Sequence, residues 1–279
     1  MWIWLTVALV FLLGAFVYWA FFVTEGAYLG ARVVAWTYDL TAAKYDRIKQ
    51  FHPQDDEWLL SMPLLRALNP VRAPLILDVA TGTGRMPRAI LSQPAFRGYV
   101  VGLDLSRKML QQAQAKLSAY AGRYALIWGD AQQLAFEDET FDAVCCLEAL
   151  EFMPKPRDVL KEMGRVLRPG GIFLTTNRVN WESRLMPGKA FRDPEMLTML
   201  EDIGLGHAQI RPWQVYYDLV WARKEGMRSL LGRGTAELAS ILRCPTCQHA
   251  PLRQEGDHLR CPLCGSVLAS EQGIIDATF

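Results

Sequence analysis

Charge is absent from the start of this 279-residue sequence, cysteine is scarce, and neither sign of charge is in excess. No charged side chain precedes Glu25. Lys and Arg number 30 and Asp and Glu 29, a net charge of +1. The basic field that a strongly electrostatic nucleic-acid binder needs is therefore missing. Six cysteines are too few for a disulfide scaffold, so their positions matter more than their count. There is no G-x-x-x-x-G-K-S/T run, hence no P-loop. No internal repeat and no low-complexity segment interrupts the chain. With 51% hydrophobic and 21% charged residues the sequence is globular and not disordered. At about 150 residues per domain, its length allows one large domain, or a medium one with small modules.

The uncharged start reads as a transmembrane anchor over residues 1–24. As a helix it would be about 35 Å long, enough to cross a hydrocarbon core of about 30 Å with some tilt. Trp2 and Trp4 mark one end and Tyr18, Trp19, Phe21 and Phe22 the other, the pattern of an interfacial aromatic belt. A cleaved signal peptide would carry a basic n-region, and none is present. A helix lying in the interface would need a polar face, and this one has none. Arg32, Lys44, Arg47 and Lys49 follow the run and no basic residue precedes it. The positive-inside rule then places a single-pass protein with its body on the cytoplasmic side.

Residues 25–74 lack strand signals and read as a helical juxtamembrane cap punctuated by Pro53, Pro63, Pro70 and Pro74. From residue 75 to 224 strands and helices alternate. The strands are LILDVA (75–80), YVVGLDL (99–105), YALIWGD (124–130), FDAVCCLEA (141–149) and GIFLTTN (171–177), with a late hairpin over 207–224. Helices are expected over 85–93, 106–120, 155–171 and 193–204, the second with Ser106 as N-cap. Continuous apolar strands alternating with helices predict an α/β fold with a Rossmann-like parallel sheet covered on both faces. Residues 225–241, with Gly226, Gly232, Gly234 and Ala236, read as a linker to a small module at 242–279. Cys145 and Cys146 lie mid-strand in an apolar run and read as core.

The first strand ends in Asp78-Val79-Ala80-Thr81-Gly82-Thr83-Gly84. Glycines there let the backbone approach a ligand closely, and the helix that follows favours negative charge at its start. Pro87 stands where a dinucleotide fingerprint needs its third glycine, which argues against NAD and FAD. Asp104 ends the second strand 20 residues past Gly84, where an acid can accept both ribose hydroxyls. Asp130 ends the third strand and Glu148 the fourth. All these acids fall at carboxyl ends of strands, the ligand-binding side of an open α/β sheet.

These segments, LDVATGTG (77–84), VGLDLS (101–106), GDAQQLAFEDETFDAV (129–144) and LRPGGIFL (167–174), resemble the class I S-adenosylmethionine-dependent methyltransferases. The resemblance spans roughly residues 36–224 and implies a seven-stranded sheet with one antiparallel strand near an edge. It implies S-adenosyl-L-methionine as cofactor. Gly82 and Gly84 would lie against its methionine portion, with Asp78 fixing that loop. Asp104 would hold the ribose with Leu105 beside the adenine, and Asp130 and Ala131 would approach the adenine edge. Glu148 would begin the loop facing the active site. WTYDLTAAKYDRI (36–48) together with the glycine turn is similar to the ubiquinone and menaquinone biosynthesis branch, and would place Tyr38 and Tyr45 on a helix over the cofactor. No residue stands out as a catalytic base. His52 and His207 are isolated, and of Tyr216 and Tyr217 alternation buries one and exposes the other.

Cys244-Pro-Thr-Cys247 and Cys261-Pro-Leu-Cys264 are two knuckles separated by 13 residues. Four thiolates close a tetrahedral structural zinc site, and a module this small needs metal to fold. It looks similar to the small zinc-ribbon proteins that activate RNA and protein methyltransferases. The sequence thus predicts a membrane-anchored methyltransferase acting on a small amphiphilic acceptor, a quinone precursor or lipid. Its expected partners are the bilayer, that acceptor, and a protein reached through the ribbon, with nucleic acid disfavoured. Two other readings remain: an RNA or protein methyltransferase that recognises substrate through the ribbon, and a cofactor-binding scaffold without turnover.

Overall fold

The computed structural model describes residues 2–234 and 237–278. Met1 of the predicted anchor, Ala236 of the predicted linker and Phe279 of the ribbon lie outside the described residues. The chain opens with α1 (Trp2–Tyr18), which continues through a wide last turn to Val23. Its mean hydropathy reaches 2.3, and no residue of α1 itself is buried. One apolar helix long enough to cross a membrane is therefore present among the described residues.

The expected helical cap consists of α2 (Ala31–Thr41), α3 (Tyr45–Lys49), α4 (Pro53–Asp56) and α5 (Met62–Leu68). Pro53 and Pro63 sit in the first turns of α4 and α5, where the missing N–H costs nothing. Alternation then runs β1 (Leu75–Val79), α6 (Arg85–Leu91), β2 (Tyr99–Asp104), α7 (Arg107–Leu117), β3 (Tyr124–Trp128) and β4 (Phe141–Cys146). It continues with α8 (Pro156–Val166), β5 (Leu167–Arg178), α9 (Asp193–Asp202), β6 (Leu205–Pro212) and β7 (Tyr217–Lys224). Ser106 caps α7 as expected, its hydroxyl accepting the Met109 amide at 3.1 Å. One boundary differs. Residues 167–171, expected to finish a helix, open β5 instead, because Pro169 and the two glycines after it cannot extend α8.

These seven strands lie in the order β3-β2-β1-β4-β5-β7-β6, parallel except for β7, which runs antiparallel to both neighbours. Every residue of β1 is buried, as a strand covered on both faces requires. Successive side chains enter opposite layers. Ile76 packs with Leu64, Ile90 and Leu110 of α5, α6 and α7, whereas Leu75 and Leu77 pack with Leu160 and Leu200 of α8 and α9. Cys145 and Cys146 are fully buried core residues on opposite faces, as the apolar run implied.

The C-terminal region departs from the reading of a free linker and a separate module. Residues 228–234 are laid along the body. The Arg72 amide donates to Leu230, and the amides of Gly232 and Gly234 donate to Arg72 and Ala73. A Cβ at Gly232 would stand 2.4 Å from the Ala73 carbonyl oxygen, so the approach needs glycine. After α10 (Leu238–Ile241) come β8 (Arg253–Glu255), β9 (His258–Arg260) and β10 (Val267–Leu268), a small antiparallel sheet. Then β11 (Ser270–Glu271) and β12 (Ile274–Asp276) join the main sheet, β12 pairing parallel with β3 at Ile274–Leu126 and Asp276–Trp128. Cys244, Leu252, Leu259, Cys261 and Leu268 enter the same core as α8 and α9. Among the described residues the main sheet has nine strands, and β11 and β12 from the ribbon form its edge.

Candidate cofactor and metal sites

The carboxyl ends of β1, β2, β3 and β4 open on one cavity roofed by α2 and α3. Its empty volume, counted with the solvent-open mouth, is about 750 Å³. Gly82, Asp104, Leu105, Asp130, Ala131 and Glu148 all line it, with Ala31, Val34, Ala35, Tyr38 and Tyr45 above. A second recess shares Gly82 and Glu148 and adds Asp78 and Arg85.

The glycine turn is built by strain that only a few residues accept. Ala80, Gly82 and Gly84 all have positive φ, at 55°, 53° and 81°. The two glycines serve different ends. A Cβ on Gly82 would meet nothing, so its bare backbone faces the cavity. A Cβ on Gly84 would meet Ala113 at 3.1 Å, so this glycine lets α6 pack against α7. Gly84 lines neither recess. Of the residues predicted around the cofactor it alone is not brought to a cavity wall.

The carboxylates are arranged as acceptors. Asp78 is buried and receives the Thr81 hydroxyl at 2.7 Å. Burial pushes its pKa up to about 7, the Thr81 hydroxyl opposing and the nearby Asp104 assisting. Asp104 accepts the Gly82 and Ser106 amides, each at 2.8 Å. Burial pushes it up to about 6 against those two hydrogen bonds, with Asp39 assisting. Each carboxylate oxygen can accept more than one donor, so Asp104 retains capacity toward the cavity. Asp130 accepts the Gln132 amide at 2.9 Å. Tyr38 and Tyr45 stack obliquely with ring centres 5.8 Å apart. Burial raises both hydroxyl pKa values well above the ordinary tyrosine range, so both stay protonated near neutral pH.

Glu148 sits in a charge cluster that spacing alone does not reveal. It has positive φ and holds Arg85 at 2.6 Å, with Lys49 at 3.8 Å. Arg85 also bonds Asp56 from Nε at 2.8 Å and lies 4.0 Å from the Phe51 ring centre. The only sequence hint of Arg85 was its place directly after the glycine turn. The roof is tied down by two aspartates that went unnoticed. Asp39 accepts the Ser106 hydroxyl at 2.5 Å, and Asp46 accepts the Thr83 hydroxyl at 2.6 Å together with Lys116. Tyr217 is buried and gives its hydroxyl to Glu151, while Tyr216 is exposed, as alternation required. His207 lies on β6, away from the cavity.

In the ribbon, one ligand atom from each of Cys244, Cys247, Cys261 and Cys264 lies within 4.8 Å of the others. The Cys244–Cys264 and Cys247–Cys261 sulfurs are 3.5 Å apart. Zinc–sulfur bonds of about 2.3 Å in a tetrahedron put sulfurs about 3.8 Å apart, so the donor set fits zinc. Its four thiolates would leave no open position, which makes it a folding site and not a catalytic one.

A parallel sheet with one reversed strand, a glycine turn and an acid ending the second strand define a class I S-adenosylmethionine-dependent methyltransferase fold. Residues 77–175 match the family described as a methyltransferase domain. The chain is 34% identical over 134 residues to the demethylmenaquinone methyltransferase of Clavibacter sepedonicus, covering 48% of this chain and 53% of that one. It is 38% identical over 107 residues to the enzyme of the same name from Bacillus licheniformis, covering 38% and 46%. The chain thus spans about half the length of these curated relatives. Among solved structures, a SAM-dependent methyltransferase from Aquifex aeolicus shares the fold, with 19% identity, a TM-score of 0.53 and coverage of 66% and 97%.

Proposed function

We propose that the protein is an S-adenosylmethionine-dependent methyltransferase held at a membrane by α1. Its acceptor would be a small amphiphile, a quinone precursor or a lipid, and its body would lie on the cytoplasmic side. The observation that carries the reading is the roof. α2, which closes the cavity with Ala31, Val34, Ala35 and Tyr38, starts eight residues after the apolar helix ends at Val23. A site built this way is tethered within a few ångströms per residue of the bilayer surface.

The cofactor, when bound, supplies a methyl group on a sulfonium for in-line displacement. The protein's share is positioning. Ionised Asp104 would accept the ribose hydroxyls, and Asp130 and Ala131 would border the adenine. Asp78 would face the methionine end, and Arg85, already paired with Asp56 and Glu148, would border it. Among the described residues no histidine lines the cavity, and its two tyrosines are held protonated. That suits a carbon acceptor whose own neighbouring hydroxyl ionises, which needs no strong base from the protein.

The test is methyl transfer from radiolabelled S-adenosylmethionine by the detergent-solubilised full chain, offered membrane lipid extract and total RNA in parallel. Label in the organic phase is expected. Label in RNA alone would overturn the acceptor class and give the ribbon a recognition role. Cofactor binding with label in neither would favour a protein acceptor or a scaffold.

A further inference from the structure

We infer that the rim formed by residues 179–187 and the β6–β7 tip sits in the headgroup layer of the leaflet from which α1 emerges. An acceptor dissolved in that leaflet then reaches the cavity without crossing water. The inference rests on the membrane reading above and adds to it which face of the body the bilayer covers.

The packing at the base of the apolar helix supports this. α1 is bare from Trp2 to Tyr18, but Ala20, Val23, Thr24 and Ala27 are almost wholly buried in the body. The helix is therefore seated in the body at its exit and does not hang from a free tether. Trp19 gives its indole N–H to the Leu185 carbonyl at 3.0 Å and stacks on Tyr28 with centres 5.1 Å apart. The Tyr28 hydroxyl bonds the Pro187 carbonyl at 2.8 Å. The Lys189 ammonium lies over the Tyr28 ring at 5.4 Å and bonds the Pro154 carbonyl at 2.6 Å. Met153 and Pro154 are cavity wall. The helix exit is thus joined to that wall through one loop.

The surface beside this exit is apolar. Trp181 is 67% exposed, Val215 84% and Tyr216 51%, and Leu185 is exposed as well. The Val179 amide donates to the Tyr216 carbonyl at 2.9 Å, so the two segments are adjacent. Both lie at the carboxyl end of β5, where Arg178 pairs with Tyr217. Tryptophan and tyrosine favour the membrane interface, and exposed Arg184 between them suits anionic headgroups. Because α1 leaves the body at this rim, its bilayer is the apolar phase nearest to these side chains.

The test uses the full chain in nanodiscs of phosphatidylethanolamine and phosphatidylglycerol. A photoreactive p-benzoylphenylalanine replaces Trp181, Val215 or Met227 in three separate proteins. Met227 is 91% exposed and apolar but follows β7 at the opposite end of the sheet, so it controls for mere exposure. Lipid adducts at 181 and 215, several-fold above those at 227, are expected. Disc-bound protein without that excess at either rim position overturns the inference. So does crosslinking of the rim to a second copy of the chain. Failure of the protein to co-elute with the discs would instead remove the membrane reading, and this inference with it.

Discussion

The cavity at the carboxyl ends of the strands has a floor and a roof of different construction. The floor belongs to the sheet. Gly82, Asp104 and Asp130 stand at the ends of buried strands whose register fixes them. The roof belongs to short helices outside the sheet, held by side-chain bonds such as Asp39 to Ser106 and Asp46 to Thr83. The floor is set by cooperative packing, so a change there acts on binding directly. The roof is held by a few hydrogen bonds to carboxylates, about 1.5–3 kcal/mol each, and by packing such as Tyr38 against Phe152.

The largest effect should come from outside both halves. Cys261→Ser removes one of four thiolates and exposes the core that the ribbon shares with α8 and α9. Bound zinc, measured by mass spectrometry, should fall from about one per chain to near zero, and unfolding stability should drop by more than about 4 kcal/mol. If stability holds, the ribbon is not metal-dependent.

On the floor, Asp104→Asn should weaken S-adenosylmethionine binding by about 2–3 kcal/mol, roughly 30- to 150-fold in Kd by titration calorimetry. An unchanged Kd would place the ribose elsewhere. The same residue sets a pH dependence. Folding raises the Asp104 pKa from 3.8 to about 6, so the folded chain binds more protons than the unfolded one between those values. Stability without cofactor should therefore be full below about pH 4 and decline as pH rises through about 6. Cofactor affinity should move the other way, falling by up to about tenfold per pH unit below pH 6 as the acceptor protonates. Calorimetry across about pH 3.5 to 8 reads both. In Asp104→Asn the affinity slope should flatten, while the stability slope lessens but keeps the part due to Asp78, itself raised to about 7.

On the roof, Asp39→Ala removes the bonds to Ser106 and to the Lys108 amide. A loss of about 1 kcal/mol in cofactor affinity is expected, with the thermal midpoint of the free protein nearly unchanged. A midpoint shift as large as that of a core mutation would show that the roof is as integral as the floor.

How much of this was legible in the sequence follows the same division. Asp104 and Gly82 were readable because a strand end and a glycine turn constrain their own neighbours. Tyr38 and Tyr45 were readable through a motif resemblance. Arg85 was not, since its partners Asp56 and Glu148 lie 29 and 63 residues away and only the fold brings them together. The resemblance sets Gly84 against the cofactor, and the structure adds that its missing Cβ lets α6 pack on α7. The last strand, Ile274–Asp276, was hidden by its length. Three residues near a chain end carry no period, and their pairing with β3 depends on the ribbon that delivers them.

That pairing bears on the order in which the protein is made. Until residues 274–276 emerge, β3 presents an open edge of backbone donors and acceptors on an otherwise finished sheet. The cap is supplied by a segment that follows the four-cysteine cluster in the chain. If metal gathers those cysteines, a chain starved of it would offer a free edge to its neighbours. A chain cut after residue 269 should scatter light at concentrations where the intact one stays clear, and clarity of the shortened chain would dismiss the edge as harmless.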